Sequence, residues 1–412
     1  MLVTNRRQAI WIFLAFAFAY FFSALIRAAT ATLSPTLTQE FQLGARDLGL
    51  LAGGYFLGFA AMQLPLGRWL DRHGPRTVIL GFTAVAVGGC AMFALSTGFA
   101  ALLLARVLCG VGLAAGLMAP MTGYRRWFTP ATQMRANSWM LMTGSMGMVA
   151  STLPVQWLLP VYGWRPLFWG LAVLLLLAMV VIAWKTPDWQ LSPVQSSPAS
   201  RSGRYGDVLR HPYFRRLTPL GFFNYGSLLA VQTLWAVPWM MQVGGYTARQ
   251  AATGLFGINL CMLTAFWLWG LLLPRLTRRG VEVERLIAWG VPASLSMLAL
   301  LVVAGPSMGV HAAWLLALFC LCSSVLSLAQ PAVGLAFAPE LAGRALSAYN
   351  LVIFGGVFVV QWGIGLLVDA LRALDWTGVQ AYRGAFGVML GCNLLSYVWF
   401  LWRKAPRATE IP

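Results

Sequence analysis

Acidic side chains are scarce in this chain of 412 residues. There are 11 of them, Glu40, Asp47, Asp71, Asp188, Asp207, Glu282, Glu284, Glu340, Asp369, Asp375 and Glu410, and all fall in loops, in tails or at the ends of apolar runs. Histidine occurs three times, at His73, His211 and His311, widely separated in the sequence. The six cysteines (Cys90, Cys109, Cys261, Cys320, Cys322 and Cys392) lie inside apolar runs without CxxC spacing. Such cysteines read as small apolar packing residues and exclude a disulfide framework or a zinc site. With no cluster of acid, histidine and cysteine, the sequence offers no metal centre, no cofactor site and no catalytic constellation, so it does not read as an enzyme. Charge of either sign is also sparse, 10% against 59% hydrophobic residues, with a mean hydropathy of +0.72. A soluble globule of that composition would lack polar surface, so the chain belongs with multi-pass membrane proteins.

Apolar runs, by contrast, recur along the whole chain. We count twelve, at residues 9–33, 46–69, 77–96, 99–120, 136–158, 165–184, 217–242, 250–273, 286–305, 311–336, 345–368 and 384–402. At about 1.5 Å per residue each is long enough to cross roughly 30 Å of hydrocarbon. The net charge of +18 follows from this topology, with 22 of the 29 Lys and Arg residues on one side of the alternating loops. The other side holds five (Arg46, Arg165, Arg249, Arg372 and Arg383), and two, Arg27 and Arg106, lie within runs. That bias places both termini in the cytoplasm and removes the reading of a nucleic-acid binder. The first run follows Arg6 and Arg7 but is too long, and carries an arginine, for a cleaved signal peptide.

Between Lys185 and Arg216 the composition turns to Pro, Ser and Arg, "KTPDWQLSPVQSSPASRSGRYGDVLRHPYFRR", which reads as a linker. The expected organisation is a six-helix bundle over 1–184, a cytoplasmic linker over 185–216 and a second six-helix bundle over 217–412. A shift of 203 residues lays Pro35 on Pro238, Arg46 on Arg249, Gly54 on Gly257 and Gly67 on Gly270. A shift of 209 lays Pro130 on Pro339, Arg135 on Arg344, Ala136 on Ala345 and Ser138 on Ser347. Two repeated halves imply pseudo-two-fold packing around a midplane cavity, the architecture of alternating access. The fold class is therefore an all-α membrane protein of twelve helices in two pseudo-symmetric bundles.

The stretch Gly67–Arg76, "GRWLDRHGPR", resembles the signature that the major facilitator superfamily carries between helices 2 and 3. In physical terms Gly67 allows close helix approach, Gly74 a tight turn, and Asp71 accepts hydrogen bonds from the N–H groups at a neighbouring helix end. Gly67, Asp71, Arg72, Gly74 and Arg76 are thus expected to form a latch, although Arg68, Arg72 and Arg76 also fit plain positive-inside topology. The second-half counterpart, "GLLLPRLTRRG", has Pro274 in place of the aspartate. In the fourth run "RVLCGVGLAAG" is similar to the superfamily's helix 4 pattern, and its small residues suit close backbone packing.

Arg27 lies in "YFFSALIRAATATLSP", about 7 Å beyond the middle of the first run. An embedded charge costs on the order of 3 kcal/mol, and side chains tilt toward the helix N-terminus, here away from the nearer interface. Tyr20, Ser23, Arg27, Thr30 and Ser34 form a polar stripe at helical spacing, which suits a cavity rather than lipid. This stretch resembles helix 1 of the anion-transporting branch, above all the organophosphate:phosphate antiporters, where a Tyr-rich stretch leads to an anion-binding arginine. The resemblance implies a second arginine at the position of Ala230 and a lysine at that of Gln63; neither is present. It therefore implies a small monoanion such as a carboxylate, held by Arg27 with neutral donors. Arg106 admits two readings, a second anion contact or a bond to helix carbonyls. The Glu that anion:cation symporters carry after the helix 4 arginine is Leu113 here.

Other expected substrate contacts are Tyr20, Gln63, Gln232, Asn259, Tyr349, Asn350 and Gln361, with Asn224, Tyr225, Thr233, Trp235 and Gln330 nearby on the same helix set. The leading reading is a monomeric secondary transporter of a small organic anion in an inner membrane, with a proton or counter-anion as coupling partner. A drug or metabolite exporter of the same fold is the second reading, though "GSMGMVASTLPVQW" lacks the exporters' helix 5 motif. A non-transporting membrane sensor is the third.

Overall fold

A computed structural model describes residues 6–187 and 205–403, so most of the expected linker lies outside the described residues. Those residues form helices and no strand. In the first half they are α1 (Arg6–Phe41), α2 (Ala45–Ala61), α3 (Gln63–Leu95), α4 (Phe99–Leu113), α5 (Ala115–Trp127), α6 (Pro130–Ala150), α7 (Leu153–Tyr162) and α8 (Trp164–Lys185). In the second half they are α9 (Tyr205–Arg210), α10 (Pro212–Pro219), α11 (Gly226–Ala230), α12 (Ala236–Gln242), α13 (Ala248–Arg278), α14 (Val283–Ala304), α15 (Ala312–Ser323), α16 (Ala329–Leu335), α17 (Pro339–Ala373) and α18 (Gly378–Trp402). Eight helical stretches are long and apolar enough to cross a membrane. The remaining expected runs fall on interrupted helices: 46–69 on α2 and the start of α3, 136–158 on α6 and α7, and 217–242 on α10 to α12.

The interruptions have local causes. Gly74 adopts φ +75°, a left-handed conformation suited to glycine, and Pro75 follows it, so α3 is two helices meeting at the turn the motif predicts. Between α10 and α12 the chain twice widens into π-helical turns, Leu220–Tyr225 and Val231–Trp235, on either side of α11. In α1 Pro35 has no N–H to give to the Ala31 carbonyl, and Ser34 Oγ donates to it instead at 2.8 Å.

Glycines decide how closely the helices approach. A Cβ on Gly110 would fall onto the Tyr55 carbonyl, one on Gly112 onto the Ala86 amide, and one on Gly58 onto the Val107 carbonyl. The helix 4 glycines therefore seat α4 against both α2 and α3, as their small size suggests. In "GSMG" Gly144 makes room for the Tyr20 ring and Gly147 for the Phe21 carbonyl, so α6 packs on α1. Gly67 departs from expectation. A Cβ there would meet only Ser347 Oγ, at 3.9 Å, an ordinary contact, so no close approach depends on it in this arrangement.

The two halves meet along α2 and α17, between α1 and the Val231–Gln242 stretch, and between α6–α7 and α13. Near the Asp369 end of α17 the seam is backbone on backbone: a Cβ on Gly365 would strike the Ala45 carbonyl, and one on Gly49 would lie 2.5 Å from the Gln361 carbonyl. Gly110→Val should lower the melting temperature of the detergent-purified protein by the equivalent of about 1–3 kcal/mol or more, and Gly67→Ala should change it by less than about 0.5 kcal/mol. Equal effects of the two substitutions would contradict this packing.

Candidate functional site: an arginine between the two halves

The polar stripe of α1 turns inward. Ser23, Thr30 and Ser34 are buried, Tyr20 nearly so, and Arg27 is partly buried among them. Arg27 Nη2 lies 3.9 Å from Met148 Sδ of α6, a weak acceptor, and Nε is buried with no hydrogen-bond partner. Its electrostatic neighbours are the phenols of Tyr20, Tyr55 and Tyr225, contributed by α1, α2 and the Leu220–Tyr225 turn. None of them is a carboxylate. The guanidinium therefore stands where the halves meet, in hydrogen-bonding reach of the Tyr20 phenol and the Met148 sulfur, with Nε left unpartnered.

Arg106 is different. It is fully buried on α4, donates from Nη1 to the Ile26 carbonyl at 2.9 Å and from Nη2 to the Arg27 carbonyl at 3.4 Å, and lies 5.1 Å from the centre of the Tyr55 ring. Of its two sequence readings, the geometry displays the bonds to helix carbonyls. The recipients are the backbone of Arg27 itself and of the residue before it, so Arg106 braces α1 at the point that carries the other arginine.

The expected amide contacts resolve into three sets. Gln232 Nε2 donates to Asn259 Oδ1 at 2.7 Å, and Asn259 Nδ2 donates to the Met148 carbonyl at 3.2 Å, which links this pair to the residue beside Arg27. Gln330 Nε2 donates to Asn350 Oδ1 at 2.6 Å, Asn350 Nδ2 to Gln63 Oε1 at 3.2 Å, and Gln63 Nε2 to the Phe59 carbonyl at 3.2 Å. This second chain joins α17 to the start of α3, so Gln63 and Asn350 are engaged with each other across the halves. Gln361 Nε2 donates to Thr233 Oγ1 at 2.7 Å, while its main-chain carbonyl accepts from Trp235 Nε1 at 3.1 Å. Tyr349 is not part of these sets. Its hydroxyl donates to the Leu217 carbonyl at 3.4 Å and its ring packs edge-on against Phe214, a packing role between α17 and α10. Asn224 likewise bonds the Asn393 carbonyl and Ser396 of α18.

At the motif end, the charged partners of Asp71 are the guanidinium groups of Arg125 and Arg126 on α5 and of Arg344 on α17. The expectation of helix N–H donors is replaced by side-chain cations, because α5 ends in two arginines facing the turn. Arg76 Nη2 donates to the Ala183 carbonyl at 2.6 Å, fastening the start of the post-turn helix to the last turn of α8. Arg72 is exposed.

Three further residues were not singled out in the sequence. Tyr55, wholly buried beside both arginines, lies on α2 among apolar neighbours, and nothing in its spacing announces the role. Met148 offers both its sulfur and its carbonyl to the site, and nothing in its type announces this. Asp369 is the third. Its carboxylate accepts from Ala45 N at 3.2 Å and Arg46 N at 2.8 Å, so α17 caps the N-terminus of α2 from the other half of the chain. Gly44 leaves the room, since a Cβ there would lie 2.9 Å from Asp369 Oδ2.

A fold made of long apolar helices, with an arginine embedded among them, is that of a multi-pass membrane protein. The chain belongs to the Major Facilitator Superfamily, whose family model matches residues 16–360. It is 26% identical over 210 residues to the inner membrane transport protein YajR of Escherichia coli (strain K12), covering 49% of this chain and 44% of that protein. It is 29% identical over 165 residues to the 4-hydroxybenzoate transporter PcaK of Pseudomonas putida, covering 40% of this chain and 37% of that one. The match thus spans less than half the length of these relatives. In structure it resembles a bacterial homologue of the human lysosomal transporter Spinster in an inward-facing, occupied conformation, with a TM-score of 0.76 at 17% identity over 98% of this chain and 100% of that one.

Asp369→Ala should loosen the capped end of α2, as a lost N-terminal carboxylate costs about 1–2 kcal/mol. The expected result is a broader and longer distance distribution between spin labels at Gln42 and Leu374. An unchanged distribution would show that the cap does not hold the seam.

Proposed function

We propose that the chain is a secondary active transporter that moves a small organic monoanion, a carboxylate, across the inner membrane by alternating access. The observation that carries this reading is Arg27: a partly buried guanidinium where the halves meet, with no carboxylate near it, surrounded by the phenols of Tyr20, Tyr55 and Tyr225 and the Met148 thioether, whereas the terminal nitrogens of Arg106 are given to helix carbonyls. A visiting anion would complete its hydrogen bonds and offset the cost of burying the charge. Tyr20 and Tyr55 would supply neutral donors. Arg106, spent on the carbonyls of Ile26 and Arg27, would set the position of the binding arginine and would not itself meet the substrate. Ala230 and Gln63, where a phosphate-ester carrier would place further cations, keep the site suited to a single negative charge. The relative PcaK of Pseudomonas putida is a 4-hydroxybenzoate transporter, which supports the same class.

The same proposal takes the protein as a monomer of twelve spans with both termini cytoplasmic, bundles over 1–184 and 217–412, and a linker over 185–216. Gln63, Asn350 and Gln330 then act as a polar seam between the bundles, and Gln232 with Asn259 as a brace behind Met148. The motif around Asp71 serves as the cytoplasmic latch, with Gly74 as its turn, Arg76 as its anchor and Arg125, Arg126 and Arg344 as its counter-charges. Gly67 and Arg72 complete the motif without a contact of their own to carry the latch. A proton or a counter-anion would couple transport.

The test is uptake into proteoliposomes with monocarboxylates, dicarboxylates, phosphate esters, amino acids and cationic drugs. Monocarboxylates should be carried, and Arg27→Ala should lower their kcat/KM roughly 10- to 100-fold, the value of one charge-assisted hydrogen-bonded contact. Full activity in Arg27→Ala would refute the assignment, and transport of cations alone would identify an exporter.

A further inference from the structure

The motif around Asp71 leaves two of its cations unused. Arg76 is tied to the Ala183 carbonyl, but Arg68 and Arg72 are exposed, and neither side chain makes an ion pair or hydrogen bond among the described residues. Beside them α3 forms a groove of about 430 Å³. Trp69 and His73 line it from the arm before the Gly74 turn, Thr77, Gly81 and Val85 from the arm after it, and Val111 of α4 from below. The Trp69 ring stands edge-on to Phe82, 5.6 Å away, so the two arms touch across the groove. At Gly81 a Cβ would meet nothing within 4 Å, so the depth there comes from the missing side chain and no packing contact depends on it.

The occupant follows from where the groove opens and from what stands at its end. Trp69 and Val85 are exposed, and α3 is among the stretches apolar enough to cross a membrane, so this wall meets hydrocarbon. From Thr77 to Val85 it runs eight residues, about 12 Å, enough to seat part of one acyl chain. The end at the turn is polar and basic: His73 and Thr77 line it, Arg72 adjoins His73, and Arg68 lies one turn back. Guanidinium groups match a phosphate in charge and in donor geometry. Asp71, which would repel one, is about 160° around the helix from Trp69 and faces the arginines of α5 and α17.

We propose that this groove is a binding site for one anionic glycerophospholipid, with an acyl chain laid along Trp69, Gly81 and Val85 and the phosphate held by Arg72 and His73, Arg68 standing beside them. The site lies on the outer wall of the first half and does not depend on the anion reading of Arg27. Its walls are the two arms that meet at Gly74, so a bound lipid ties them together across the turn beside Asp71. Basic pockets of this kind select anionic headgroups over zwitterionic ones, because each cation near the membrane surface adds to the attraction.

The experiment is native mass spectrometry of the detergent-purified full chain, titrated with dioleoylphosphatidylglycerol or with dioleoylphosphatidylcholine. The wild type should bind one phosphatidylglycerol more tightly than any phosphatidylcholine. The double substitution Arg68→Gln, Arg72→Gln should weaken phosphatidylglycerol by roughly fivefold for each arginine removed and leave phosphatidylcholine unchanged. Gly81→Phe, which fills the groove, should weaken it at least tenfold, since two displaced methylenes already cost about that much. Gly170→Phe, at a glycine of α8 that is equally open and away from the groove, should have no effect. An unchanged melting temperature in Gly81→Phe would show that it folds, and the arginine substitutions test the site without touching the groove wall. Equal affinity of the wild type for the two lipids, or full phosphatidylglycerol binding after both Gln substitutions, overturns the headgroup assignment. Binding that survives Gly81→Phe, or that falls as far with Gly170→Phe, overturns the groove as the site.

Discussion

A guanidinium cannot easily shed its proton, so once it is drawn into a bundle of apolar helices its charge has to be answered by whatever lies within reach. Carboxylates near Arg27 and Arg106 would have been the usual answer, and the sequence keeps its acids at helix ends. The protein meets the two charges differently. Arg106 gives its two terminal nitrogens to main-chain carbonyls and lies over the face of Tyr55, which makes it a structural tie between α4 and α1, with Nε left unpartnered. Arg27 receives a sulfur and a ring of phenols, an incomplete answer. Nε is unpartnered in both arginines, and what separates them is that both terminal nitrogens of Arg106 are given to helix carbonyls whereas Arg27 Nη2 has a thioether within reach. The neutral amides near them are paired with one another and with main chain: Gln232 with Asn259, Asn259 with the Met148 carbonyl, and Asn350 with Gln63.

The seam between α2 and α17 shows how the halves are held. Toward the Asp369 end, main chain touches main chain through Gly49 and Gly365, and a carboxylate from one half caps a helix of the other. Midway, contact passes to amide side chains, which can exchange partners at little cost. Toward the motif end, Gly67 and Ser347 are barely in contact, and charged side chains around Asp71 take over. The seam grades from short-range packing to longer-range electrostatics along its length. Such a gradient gives one end a sharp fit and the other a tolerance for displacement.

Much of the fold was legible because hydrophobic periodicity and helix-breaking residues are local properties. The long runs, the turn at Gly74 and the inward stripe of Tyr20, Ser23, Thr30 and Ser34 could all be read from spacing. Partner choice was harder. Nothing in the spacing says that Asn350 will reach Gln63, that Asp71 will face arginines instead of backbone N–H groups, or that Asp369 will cap α2. Those depend on how the two halves register in three dimensions. Residue type misled in two directions: Tyr349, polar and well placed on the chain, is used for packing, whereas Met148, an ordinary apolar residue, contributes two of the contacts that shape the site. Gly67 was read correctly as small but wrongly as crowded.

The two π-helical turns that flank α11 bear on how this protein family can diverge. Each accommodates one residue more than an α-helical turn would, so deleting a single residue from Leu220–Tyr225 or Val231–Trp235 would remove the widened turn and leave the flanking helix in register. Ala230, the pseudo-symmetric counterpart of Arg27, sits between them. A one-residue length change is thus taken up within the widened turn itself, so the backbone around Ala230 can gain or lose a residue while the helix ends stay in place.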